Sequence, residues 1–187
     1  MLGNEYKEND IENNTDKYLL PFQIASKYYP ELNGVKIGIA FKSIKTSMAA
    51  RPKGSFLFKP KDQRKYYIFI NNGHKKVKGV RFEELSLNAQ VGLVGHELAH
   101  IVDYESKSKW KIVKTGIGYL FKNPKKRLES EVDYIAIEKG LGWQIYDFYD
   151  YIQNSSECSS KYKKYKQDIY FSSGEIFFFI YNLQGIY

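Results

Sequence analysis

A helix with cation-binding chemistry set into its buried face dominates this sequence. Leu87, Val91, Val94, Leu98 and Ile101 recur three or four residues apart, which predicts a helix from Ser86, a suitable N-cap, to about Tyr104. Within it stands His96-Glu97-Leu98-Ala99-His100. Residues four apart on a helix lie one turn above the other, so both imidazoles can reach one metal ion while the apolar stripe stays in the core. Glu97, next to the first imidazole, can lean over the coordination position that such an ion leaves open. The chain has 3 histidines, and two of them fall at this spacing around a glutamate, so a chance pair of surface histidines is the weaker reading. Gly92 and Gly95 interrupt the same helix, where glycine is unfavourable. Either they let a neighbouring strand or helix approach the metal, or they carry no information.

The rest of the chain frames that helix. With 187 residues, 43% of them hydrophobic, one sizeable core and one domain are expected. Residues 1–17 are acidic and Asn-rich and read as a disordered tail; residues 18–187 form the domain. Leu19 to Tyr29 predicts a short helix that stops at Pro30. Val35, Ile37, Ile39 and Phe41 alternate with Lys36, Gly38, Ala40 and Lys42, the period of a half-buried strand. Ser55 to Phe58 and Lys65 to Asn71, rich in aromatic and β-branched residues, predict two more strands, paired as a hairpin. After the metal-binding helix, the stretch from Tyr104 to Leu128 reads as a long basic connection, with Lys107, Lys109, Lys111, Lys114, Lys122, Lys125, Lys126 and Arg127 around Trp110, Tyr119 and Phe121. Helices are expected at about 124–139, with Pro124 in the first turn and Gly140 at the end, and then at 143–152, 160–170 and 173–183. The fold class is α+β: a small mixed or antiparallel sheet followed by a mainly helical region.

Charge and cysteine content bound the setting. A net charge of +8 attracts nucleic acid, anionic membrane or acidic substrate alike and identifies no site. Cys158 is the single cysteine, so an intrachain disulfide is excluded and a reducing compartment fits. No secretory signal is visible, and the longest apolar run, Ile176 to Tyr181, is too short to span a bilayer. The cytoplasm is the expected location.

A catalytic zinc takes three protein ligands and leaves a place for water. A histidine at the sixth position after His100 would indicate a metzincin, but that position is Ser106. His74, the third histidine, lies in a turn before the metal helix and is placed to touch substrate. The stronger source of a ligand is the second helix, in Arg127-Leu128-Glu129-Ser130-Glu131-Val132-Asp133. His-Glu-x-x-His followed by Glu-x-x-x-Asp resembles the gluzincin zinc peptidases. The resemblance implies a zincin-like fold in which Glu129 completes the zinc site and Asp133, on the same helix face, orients a ligating histidine. Glu131 points away. It implies further that a peptide or protein substrate lies as an added strand along a sheet edge, for which Lys65 to Asn71 is the expected strand. An oxyanion-stabilising group is expected too, and Tyr104, Tyr134 and His74 stand near the motif.

The functional expectation is zinc-dependent hydrolysis of a peptide bond, as in a metalloendopeptidase, with Glu97 as general base. A deformylase-like hydrolase would take a cysteine ligand upstream of the motif, whereas Cys158 lies downstream. The alternative from another class is a nucleic-acid-binding or regulatory module that uses residues 107–127 and keeps a structural or vestigial zinc site. The bland reading of Glu129 and Asp133 is a solvated helix face beside the basic connection.

Overall fold

A computed structural model of the chain describes residues 15–73, 79–154 and 158–184. Helix α1, Thr15–Ser26, starts before the first apolar residues of its stretch and contains Pro21. It therefore takes in residues 15–17, which the sequence reading assigned to the acidic tail; residues 1–14 of that tail lie outside the described residues, as does His74.

Three strands follow: β1 (Lys36–Lys42), β2 (Met48–Pro52) and β3 (Lys65–Asn71), in the spatial order β1-β3-β2. β1 runs parallel to β3, with Ile39 opposite Ile68, and β2 runs antiparallel to it, with Ala50 opposite Ile68. The sheet is mixed, and Tyr66, Ile68 and Ile70 on its middle strand are fully buried.

Two expectations about the strands change. Ser55 to Phe58 is part of a 3₁₀ turn, Gly54–Phe58, with no buried residue; the strand is Met48–Pro52 instead. Its Met-Ala-Ala core lacks the branched and aromatic residues that mark strands, because small side chains are what let β2 lie close against the next helix. Pro52 also fits an edge strand, where a missing N–H breaks no ladder. Lys65–Asn71 is paired on both sides. Its backbone groups are already used, so it cannot accept a further strand as the edge-strand expectation required.

Helix α2, Leu87–Ser106, starts where Ser86 Oγ accepts the Ala89 N–H at 3.2 Å. It packs against α1, β2 and two later helices. The expected basic connection is not a loop: it contains helix α3, Lys109–Gly118, and the start of α4, Lys122–Ala136. α3 was hidden because it buries only Ile112 and Thr115, too narrow a stripe to stand out among lysines. A wide turn, Ile137–Leu141, joins α4 to α5, Gly142–Asn154, and Gly140 takes φ 96° there, a left-handed conformation that costs glycine little. Helices α6, Ser160–Ile169, and α7, Ser173–Gln184, complete the helical region. One contiguous hydrophobic core runs from Phe22 to Ile180.

The glycines of α2 have a packing reason. A Cβ on Gly92 would lie 2.1 Å from the Gln144 carbonyl oxygen of α5, and one on Gly95 would lie 2.4 Å from Leu141 Cδ1. The close approach is thus to α5 and the turn before it. Gly92→Ala is expected to destabilise the protein by about 2–3 kcal/mol, since backbone must move to admit the methyl group. Denaturant unfolding measures this, and a loss below about 0.5 kcal/mol would contradict it.

Candidate metal centre

Two helices supply the site. α2 carries His96 and His100 one turn apart with Glu97 next to His96, and α4 carries Glu129 and Asp133 one turn apart. The helices pack against each other, and all five side chains are buried, from 0% exposure for Asp133 to 7% for His100. Glu131 faces outward and pairs with Arg127 at 3.4 Å.

His96 Nδ1–H donates to Asp133 Oδ1 at 2.8 Å. A carboxylate only accepts, so this bond places the proton on Nδ1 and turns the Nε2 lone pair inward. Asp133 is held in turn by the Tyr149 hydroxyl of α5, which donates to Oδ1 at 2.9 Å. Burial, with the charge of Asp133, pushes the Tyr149 hydroxyl well above its ordinary range, so it remains a donor.

Three atoms converge on one point. His96 Nε2 lies 3.1 Å from His100 Nε2 and 3.2 Å from Glu129 Oε2, and His100 Nε2 lies 3.6 Å from the same oxygen. Bonds of about 2.0–2.1 Å at tetrahedral angles set neighbouring donors about 3.3 Å apart, so these separations match one face of a coordination tetrahedron. Glu129 Oε2 is buried and makes no hydrogen bond of acceptable geometry, a costly position for a carboxylate oxygen unless a cation meets it.

Electrostatics agree with that geometry. Burial alone would lower the His96 imidazole, but Asp133 and Glu129 outweigh it and push it up to about 10. Burial alone would raise Glu129, but His100 and His96 hold it well below the carboxylate range. The space between the three atoms draws positive charge, whether a proton or a metal ion. His96, His100 and Glu129 could therefore hold a metal, and among the described residues they are the one such group.

Glu97 stands beside the trio and outside it. Its Oε2 accepts the Ala50 N–H of β2 at 2.5 Å. A cleft opens over the site, walled by β2, by Gly116 and Tyr119 near the end of α3, and by α5 and α6. Of the residues near the motif, Tyr104 lines this cleft and stacks on His100 at 6.2 Å between ring centres, whereas Tyr134 packs on Phe179 away from it.

Several side chains at the site were not singled out in the sequence. The Tyr119 hydroxyl lies 3.5 Å from His100 Nδ1, and Tyr170 stands 5.9 Å from His96 between ring centres. The Lys166 ammonium lies 3.7 Å from the Tyr170 ring centre and within 6.0 Å of those of Phe148, Tyr149 and Tyr162. Tyr162 and Lys166 lie one turn apart on α6 and Tyr170 caps its end, so their spacing of four was a legible signal. Asp133 with Tyr149 offers none, because the partners sit on different helices.

Compared with known proteins, the chain matches no family model, no curated protein and no solved structure.

Two predictions test this site. Asp133→Asn should weaken metal binding about 10- to 100-fold, because His96 loses the negative charge of its orienting acceptor, while Glu131→Gln should leave affinity unchanged; chelator competition measures both. Lys166 concerns stability. Burial outweighs the attraction of Glu129, Asp133 and Glu97 and lowers its ammonium to about 8. The folded pKa lies below the unfolded one, so the charged form opposes folding below pH 8, and this cost fades as pH rises toward about 10.4. Lys166→Met should raise the unfolding free energy of the metal-free protein at neutral pH by about 1–3 kcal/mol, after discounting for partial exposure at the cleft. The gain should shrink above pH 8, and a stability loss at pH 7 would refute it.

Proposed function

We propose that the protein is a zinc-dependent hydrolase of peptide bonds, with zinc held by His96, His100 and Glu129 and with Glu97 as general base. The observation that carries this reading is the convergence of two Nε2 atoms and one carboxylate oxygen from separate helices, with a further glutamate beside them at the floor of a cleft. Zinc at such a site supplies a Lewis acid that polarises a carbonyl and acidifies water.

The chain's own residues have separable tasks. Asp133 and Tyr149 fix the His96 tautomer, so its lone pair is available without rearrangement. Glu97 is buried beside the donor atoms and is held by a backbone N–H rather than by a cation. It can take a proton from water at the site and deliver it to the leaving amine. Ala50 anchors that carboxylate from β2, the strand at the edge of the sheet that walls the cleft, so a peptide lying along β2 would bring its carbonyl past Glu97. Lys166 adds a cation to the same cleft, suited to the negative charge that develops on a carbonyl oxygen.

A structural zinc site closes its shell with four protein ligands. Here, among the described residues, the group numbers three and faces an open cleft, which favours catalysis over the regulatory alternative. Glu97→Gln should keep zinc affinity within about threefold while lowering turnover of an unfolded protein substrate about 10²–10⁴-fold. Undiminished cleavage by that variant, with zinc bound, would remove Glu97 from the mechanism.

A further inference from the structure

Between Ser106 and Leu128 the chain carries no acidic residue and eight basic ones. The proposed hydrolysis makes no use of this bias. α3 shows what it builds. Ile112 and Thr115 face the protein, and at 100° per residue Trp110 and Ile117, seven apart, project together from the opposite side. The turn after α3 adds Leu120 and Phe121. Trp110 and Leu120 are each 80% exposed, Phe121 60% and Ile117 54%. Single exposed hydrophobes are ordinary, but four large ones within a dozen residues form a patch that calls for a partner.

The charges around the patch select that partner. Lys107 pairs with Asp103, Lys122 with Asp168 and Arg127 with Glu131. Lys109, Lys111 and Lys114, on the same helix as Trp110, form no ion pair among the described residues. Indole, phenyl and branched aliphatic groups ringed by lysines match the boundary between acyl chains and anionic headgroups: rings and aliphatic groups enter the boundary, and lysine stems lie along it with ammonium groups at the phosphates. A nucleic acid would use the lysines and could stack on Trp110 or Phe121, but it offers nothing to Ile117 and Leu120. Among the described residues no helix is long and apolar enough to cross a membrane, so any such attachment is to the surface.

We infer that the outer face of α3 and the turn after it, Trp110, Ile117, Leu120 and Phe121 with Lys109, Lys111 and Lys114, docks on an anionic lipid bilayer. The inner side of the same segment, through Ile112, Gly116 and Tyr119, walls the cleft over His96, His100 and Glu129, and Leu120 stands at its rim between cleft and outer face. Docking therefore holds the cleft beside the bilayer surface, within reach of peptide segments that emerge from it. The docking itself is independent of any hydrolytic activity.

The test is co-sedimentation of the full chain with vesicles of phosphatidylcholine alone and of phosphatidylcholine mixed with phosphatidylserine. Partition onto the mixed vesicles should exceed that onto the neutral ones by about tenfold or more and should fall, without vanishing, as salt is raised. In a Trp143→Phe background, where Trp110 is the remaining tryptophan, the emission should shift to the blue on binding. Trp110→Ser with Leu120→Ser, and separately Lys109→Glu with Lys111→Glu and Lys114→Glu, should each reduce partition about tenfold or more. Circular dichroism and metal content should stay unchanged, which separates lost docking from lost folding. No preference for the mixed vesicles, or partition indifferent to both variant sets, would overturn the inference. So would binding of duplex DNA or RNA that displaces the vesicles and survives the Trp110→Ser, Leu120→Ser change, because the surface would then be a nucleic-acid site.

Discussion

The carboxylate of Asp133 ties the molecule together at its candidate metal centre. It is fully buried on α4, accepts the His96 Nδ1–H from α2 and accepts the Tyr149 hydroxyl from α5. One group thereby fixes the relative position of three helices and the tautomer of an imidazole. A buried carboxylate is stable only when its lone pairs are met, so helices that slid apart would expose an unsatisfied charge. That penalty holds Glu129, one turn earlier on α4, against His96 and His100. Gly92 and Gly95 let α2 close on the other side, against α5 and the turn that leads to it.

How much of this was legible depended on whether the signal was local. Helix α2 was, because its stripe, its N-cap and both histidines lie within one run of residues. Glu129 and Asp133 were singled out by a resemblance carried on a short motif, and the structure places Glu129 beside His96 and His100 and Asp133 against His96. Strand β2 was not, because Met48, Ala49 and Ala50 lack strand propensity and owe their conformation to pairing with β3 and packing on α2. Conversely, Phe56, Leu57 and Phe58 have that propensity without a partner strand and form a 3₁₀ turn. α3 was masked by charge: a helix anchored by two buried side chains looks, in sequence, like a solvated loop.

The cleft itself was beyond sequence reasoning, since its walls come from parts of the chain far apart. Lys166 shows why this matters. Its neighbours Tyr162 and Tyr170 repeat at helical spacing, yet nothing local says that the face they form looks onto α4 and α5. Only once α6 docks do Phe148 and Tyr149 complete the ring around the ammonium. A cation kept where burial disfavours its charge is an expensive feature of a fold, and such groups concentrate at functional sites.

The bond between Glu97 and the Ala50 N–H explains why a sheet of three strands suffices. In the proposed mechanism a general base must stand close to the metal ligands without becoming one, and Glu97 neighbours His96 in sequence, so something off α2 must keep it out of the coordination sphere. The outward-facing N–H of an edge strand does: it offers a donor to one side of the carboxylate, and because a carboxylate has two oxygens the other stays available to the cleft. Ala50, buried in the core, is small enough for the strand to approach α2 at that distance. A branched residue at Ala50, which would have made β2 obvious in the sequence, would have pushed the strand away and left Glu97 without its anchor. The weakness of the sequence signal and the position of the Glu97 carboxylate thus have a single cause.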